Sequence, residues 1–101
     1  MIDGLLRAVG VEPGEGLSPV ATTFEDVRAA VRQVGRDGWS AGQVLEQLHD
    51  ALIPLPTIPT IPKANAAIAI AECDKALCEG GDEQLQLLEC CLRVKEALAK
   101  A

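Results

Sequence analysis

The stretch that decides the fold runs from Ala71 to Cys91 and reads AECDKALCEGGDEQLQLLECC. Its centre is the pair Gly80-Gly81, and glycine readily adopts the left-handed backbone that ends a helix. Asp82 follows this pair directly and can accept hydrogen bonds from the first amides of a second helix. The stretch therefore predicts two helices joined by a short turn, which together form a helical hairpin.

Apolar residues recur three and four apart on both arms of this hairpin. The first arm carries Ile70, Cys73 and Leu77, and the second carries Leu85, Leu88 and Leu92. This spacing places each set on one side of a helix, so we expect two apolar stripes that face each other.

The composition indicates a single small helical domain. The chain has 101 residues, of which 49% are hydrophobic, and Phe24 and Trp39 are its only aromatic residues. A core of Leu, Ile, Val and Ala suits packed helices better than a sheet, in which aromatic and β-branched residues are enriched. We expect residues 1–101 to form one all-α domain, a compact bundle of about five helices that ends in the hairpin.

The charge balance argues against direct binding to nucleic acid. Nine basic and fifteen acidic side chains give a formal net charge of −6, whereas nucleic-acid-binding surfaces are basic. No apolar run approaches the roughly 18 residues that would cross a bilayer, and the N-terminus lacks the pattern of a signal peptide. These features predict a soluble intracellular segment with no direct contact to nucleic acid or membrane.

The four cysteines, Cys73, Cys78, Cys90 and Cys91, have the spacing of neither a zinc site nor a secreted disulfide scaffold. Cys73 and Cys78 lie about 140° apart around a helix, so they do not share a face. We expect reduced, mostly buried thiols and no metal. His49, the only histidine, has no nucleophile or ligand set beside it, so no catalytic residue is predicted.

The segment between the first two helices, Gly10 to Thr23, is rich in glycine and proline and predicts a loop without regular structure. Thr22 or Thr23 begins the second helix. Its expected buried stripe is Phe24, Val27, Val31 and Val34, while Arg28, Arg32 and Arg36 fall on other faces as a solvated row or as contacts to an acidic neighbouring subunit.

The third helix has a clear start signal. Ser40 and Gln43 have the spacing of a capping box, and Trp39 and Val44 have that of a hydrophobic staple. After it, residues 53–63 contain four prolines and predict a stiff connector, with Ile58 and Ile61 packed on the bundle. A polyproline recognition motif is a second interpretation of this connector.

The last helix, from Asp82 to about Lys100, has apolar residues around more than half of its circumference. They are Leu85, Leu87, Leu88, Cys90, Cys91, Leu92, Val94 and Leu98. One stripe would satisfy a small bundle, so the surplus predicts that part of this helix is a contact surface for another protein.

Two blocks of the chain resemble a known family. The pattern A-E-x-D-x-x-L-x-x-G-x-D-E-x-L-Q-L, from Ala71 to Leu87, and the upstream block Gln47-Leu48-His49-Asp50 are similar to the C-terminal domain of replication factor C small subunits, the eukaryotic sliding-clamp loader. The resemblance covers most of the chain, from Ile2 to about Val94.

This resemblance implies a collar domain that assembles five subunits, and a nuclear location. The parent protein would be an AAA+ ATPase subunit whose absent domains bind ATP and Mg, and contact the sliding clamp and primer-template DNA. This segment would then be non-catalytic and hold no cofactor. From their position on the last two helices, the subunit-interface residues are expected to be Asp74, Gln86, Leu87, Cys90 and Val94. Asp74 and Gln86 are expected to make polar contacts that fix either the hairpin or the neighbouring subunit.

Two other functions remain open from the sequence alone. One is a free-standing helical adaptor that binds a protein or peptide through the proline segment or the last helix. The other is a redox-responsive bundle, which would pair Cys78 with Cys90 or Cys91 and would need an accessible thiolate.

Overall fold

The computed structural model describes residues 2–18 and 21–100, and helices account for most of them. The five helices are α1 (Ile2–Val9), α2 (Phe24–Arg36), α3 (Ala41–Leu52), α4 (Thr60–Cys78) and α5 (Glu83–Ala99). Two short strands, β1 (Val11–Glu12) and β2 (Gly16–Leu17), pair antiparallel between α1 and α2. The prediction of an all-α bundle of about five helices is confirmed.

The last helix, α5, is the centre of the bundle. It packs against α1, α2, α3 and α4, and its contact with α4 is the most extensive in the molecule. Its buried residues are Leu87, Cys90, Cys91, Val94 and Leu98. Helices on several sides of α5 therefore share one core, to which each contributes a row of mostly aliphatic side chains.

The turn between α4 and α5 closes as the glycine pair predicts. Gly80 has φ +95°, and its amide donates to the carbonyl of Leu77 at 3.1 Å. The amide of Gly81 donates to the carbonyl of Ala76 at 3.0 Å, so the orphan carbonyls at the end of α4 gain partners. Asp82 then accepts from the amide of Leu85 at 2.8 Å and begins α5. The helical hairpin is confirmed.

Capping boxes begin α2 and α3. Thr23 accepts from the amide of Asp26, whose carboxylate accepts from the amide of Thr23 at 2.8 Å. Ser40 and Gln43 form the same reciprocal pair at the start of α3. Both helix starts follow from the sequence because a capping box uses only residues three apart.

The prediction that the whole segment from Gly10 to Thr23 lacks regular structure is wrong. Glu12 pairs with Gly16 in a β-hairpin, and Val11 is completely buried. The hydroxyl of Thr57 donates to the carbonyl of Glu15 at 2.7 Å, which ties the hairpin to the connector before α4. Gly16 has φ +127°, and a Cβ there would overlap the hydroxyl of Thr57. Pro19 and Val20 lie outside the described residues.

Three residues predicted to be buried are exposed. Phe24 is 51% exposed, Ile61 74% and Leu85 63%, and each lies in the first turn of its helix. Ile58, in contrast, is buried as expected. Helix α4 begins at Thr60, and buried Pro62 occupies its first turn, so the proline segment is partly covered by the bundle.

Candidate interaction surfaces

The predicted outward positions on α5 are not outward. Leu87 is 4% exposed, Cys90 1% and Val94 0%, so the prediction that these side chains lie at the surface is wrong. The physical reason is the central position of α5, which contacts four helices of the same chain. The side chains available to a partner lie elsewhere.

Gln86, also predicted at an interface, lies over the turn of the hairpin. Its side chain is half-buried and comes within 3.0 Å of the position that a Cβ on Gly81 would occupy. Its backbone carbonyl accepts a hydrogen bond from the thiol of Cys73 at 3.2 Å. Gln86 therefore joins the two arms of the hairpin, and its contact with another subunit stays a prediction.

Three of the cysteines meet between α4 and α5. Cys73, Cys90 and Cys91 are buried, and the thiols of Cys73 and Cys90 donate to the backbone carbonyls of Gln86 and Ala69 respectively. Burial raises the pKa of all three thiols, and that of Cys91 reaches about 12. Reactive cysteines need a stabilised thiolate, so these positions have the chemistry of small apolar side chains.

Cys78 has different surroundings from the other three cysteines. It is exposed at the end of α4 and forms no disulfide. The pairing of Cys78 with Cys90 or Cys91, which the redox interpretation required, would join an exposed cysteine to a buried one, and all four cysteines are free thiols in this structure.

Asp74, the last of the five predicted interface residues, is exposed and lines a groove between α3 and α4. We call this the α3–α4 groove, and its lining is Gly42, Leu45, Glu46, His49 and Asp50 from α3 with Ala67, Ile70, Ala71 and Asp74 from α4. On each helix these residues recur at helical spacing, so they form two facing rows.

Small residues open this groove. Gly42 has no heavy atom within 4 Å of a Cβ placed on it, and Ala67 and Ala71 opposite are short. The buried side chains of Leu45 and Ile70 form an apolar floor. Glu46, Asp50 and Asp74 are exposed around it, so the groove is apolar inside and acidic at its rim.

A second charged surface lies on α2, and we call it the α2 arginine row. It consists of Phe24, Arg28, Arg32 and Arg36, which are four residues apart, so each is a neighbour of the next on the helix surface. Arg28 lies 3.4 Å from Glu25. Among the described residues, neither Arg32 nor Arg36 has an ion pair or a side-chain hydrogen bond.

The outer face of α4 adds exposed apolar surface that the sequence analysis missed. Ile61 and Ile68 are 74% and 52% exposed, and Ala64 and Ala71 lie between and beside them on the same side. The signal was present in the sequence as apolar residues at spacings of three and four on the side of α4 opposite its core stripe. This face borders the α3–α4 groove, since Ala71 belongs to both.

Among the described residues, no three His, Cys, Asp or Glu side chains form a group that could bind a metal ion. No helix within residues 2–18 and 21–100 has both the length and the apolar character to cross a bilayer.

Comparison with known proteins gives one consistent family. Residues 17–93 match the family described as Replication factor C C-terminal domain. The chain is 31% identical over 96 residues to human Replication factor C subunit 4, which covers 90% of this chain and 26% of that protein. It is 33% identical over 91 residues to Replication factor C subunit 4 of Arabidopsis thaliana, covering 84% of this chain and 27% of the relative.

A third relative, Replication factor C subunit 2 of Schizosaccharomyces pombe, is 38% identical over 64 residues, which is 63% of this chain and 19% of that protein. The chain therefore spans about a quarter or less of the length of these relatives. The family match includes α2, α3, α4 and most of α5, and so contains the hairpin, the α3–α4 groove and the α2 arginine row. The chain belongs to the replication factor C C-terminal domain family.

Proposed function

We propose that this chain is the subunit-assembly domain of a sliding-clamp loader small subunit and has no catalytic role of its own. The observation that carries the proposal is the family match over residues 17–93, which falls on a continuous helical bundle. The exposed surfaces of α2, α3 and α4 support it, because a domain that joins subunits needs surface beyond its own core.

The catalytic chemistry would then belong to other domains of the parent protein. ATP and Mg would be bound by ATPase domains of the parent protein, and the sliding clamp and primer-template DNA would be contacted through those domains. The partners of this segment would be the other replication factor C subunits of a five-membered complex in the nucleus. The net charge of −6 agrees with a domain that binds protein and not a phosphate backbone.

Co-expression tests this function. The chain would carry an affinity tag and be produced together with the other clamp-loader subunits. Native mass spectrometry would then measure the masses of the complexes that elute with the tagged chain. We expect a complex that contains the chain once together with the other subunits. The tag alone is the control, and a chain that elutes folded but without any clamp-loader subunit would contradict the proposal.

A further inference from the structure

The α3–α4 groove and the α2 arginine row are complementary in charge and cannot satisfy each other within one chain. Helix α2 packs on α1 and α5, whereas the groove lies between α3 and α4. Of the five ion pairs that lysine and arginine form among the described residues, none joins the two surfaces. On the rim of the groove, Asp50 lies 3.5 Å from the imidazole of His49. One copy therefore carries an acidic groove and a basic ridge on separate elements.

The spacing of the charges also matches. Arg32 and Arg36 are one helical turn apart on α2, and Glu46 and Asp50 are one turn apart on α3. Both pairs of charges are therefore separated by about 6 Å along a helix axis. A helix laid along the groove would place the two guanidinium groups opposite two carboxylates, with Asp74 on the other rim.

The apolar parts of the two surfaces fit the same arrangement. The floor of the groove is formed by Leu45 and Ile70, and the rim on α4 continues into half-exposed Ile68. Phe24, half-exposed at the start of the arginine row, supplies an aromatic side chain to such a floor. Stable interfaces combine an apolar or aromatic anchor with a polar rim, and both halves are present here.

We propose that the occupant of the α3–α4 groove is the α2 arginine row of a second copy of this chain. Because the two surfaces are different patches, the contact is heterologous and joins the copies head to tail. This goes beyond the proposed function, which requires only that the domain bind other subunits. The net charge of −6 opposes self-association at long range, but physiological salt screens charges beyond about 8 Å.

Sedimentation equilibrium of the whole chain, up to about 1 mM, tests the proposal. We expect concentration-dependent self-association that weakens as salt is raised. The double variants Glu46→Lys/Asp50→Lys and Arg32→Glu/Arg36→Glu each change exposed side chains, so both should fold. Each should weaken self-association at least about tenfold, since attraction becomes repulsion at two positions.

The most decisive measurement is the association of these two variants with each other. The lysine-bearing groove of one variant faces the glutamate-bearing α2 of the other, so hetero-association should return when they are mixed. The control Glu89→Lys/Glu96→Lys makes the same change in net charge as Glu46→Lys/Asp50→Lys, but on α5 and away from both surfaces, and should not weaken the association. Far-UV circular dichroism of each variant confirms that it is folded.

The outcomes separate this proposal from the proposed function. A chain that stays monomeric at all concentrations, or associates equally well in both double variants, overturns the head-to-tail contact. If that monomeric chain still enters the complex with other clamp-loader subunits, the proposed function stands and a different subunit occupies the groove. Failure to enter that complex contradicts the function whether or not the chain self-associates.

Discussion

Whether an apolar residue of α5 is buried depends on its position on the helix. Cys91 and Val94 are completely buried, whereas Leu85, on the same helix, is 63% exposed. Leu87 and Leu98 are buried on the same helix although they have the same side chain as exposed Leu85. Size and spacing of the apolar residues alone therefore did not identify the buried face.

Leu87 and Leu85 form a matched pair that tests this assignment. Replacing buried Leu87 by alanine should lower the free energy of unfolding by about 2–5 kcal/mol, because apolar contacts are lost and a cavity remains. The same change at Leu85 should alter it by less than about 0.5 kcal/mol. Urea unfolding followed by circular dichroism measures both, and equal losses would show that the face of α5 is misassigned.

The buried thiols predict a dependence of stability on alkaline pH. The ordinary pKa of 9.0 applies to an unfolded cysteine, whereas burial raises the pKa of folded Cys91 to about 12. Above pH 9 the unfolded chain therefore loses protons that the folded chain retains, and unfolding becomes more favourable. The stability from this group is complete below pH 9 and is lost as pH rises toward 12, by up to about 1.4 kcal/mol per pH unit.

Comparison of variants isolates this effect from other alkaline titrations. We expect the free energy of unfolding to fall less steeply with pH in Cys91→Ala than in the natural chain. The measurement runs from pH 8 to about 10.5, an interval that spans the ordinary thiol pKa. Cys78→Ala is the control, because Cys78 is exposed. An identical slope in Cys91→Ala and the natural chain would exclude burial of a protonated thiol at this position.

At the scale of elements, the ends of the helices are set by local chemistry. The capping boxes at Thr23 and Ser40 and the cap at Asp82 each use residues within three positions of one another. For that reason the starts of α2, α3 and α5 could be predicted from the sequence. The β-hairpin after α1 could not, because Gly16 and Thr57 meet only once the connector has folded over it.

Two glycines should respond in opposite directions to the same substitution. Gly80 has φ +95° at the end of α4, so alanine there should cost roughly 1–2 kcal/mol of stability. Gly42 lies inside α3 with open space around its Cβ position, so alanine there should add roughly 0.5–1 kcal/mol. Thermal and urea unfolding measure both, and a loss at Gly42 as large as that at Gly80 would contradict the assigned backbone.

The whole molecule explains why Leu87, Cys90 and Val94 are buried although they were predicted at the surface of α5. The sequence shows how much apolar surface α5 carries but not how many helices cover it, and in the fold four helices do so. Five of the eight apolar residues named on α5 are buried within the chain, whereas Leu85 is exposed. The surface that remains for a partner includes exposed Leu85, the exposed residues Ile61 and Ile68 on α4, and the charged surfaces of α2 and α3.

The family and the helical architecture, by contrast, could be predicted from the sequence. The hairpin around Gly80 and the capped start of α3 lie in the same region that carries the family resemblance, residues 17–93. Both are local patterns, readable without knowledge of long-range packing. The α3–α4 groove depends on which sides of two helices meet, and that is decided only by the assembled core.

Hydrogen exchange measured by mass spectrometry tests the central claim most directly. It would be measured on the chain alone and on the chain within a complex with other clamp-loader subunits. That claim is that α5 is the shared core and that assembly uses the outer faces of α2, α3 and α4. Amides of α5 should already exchange most slowly in the free chain, and complex formation should add protection chiefly to residues 24–36, 41–52 and 60–78. New protection confined to α5, or none in the complex, would contradict it.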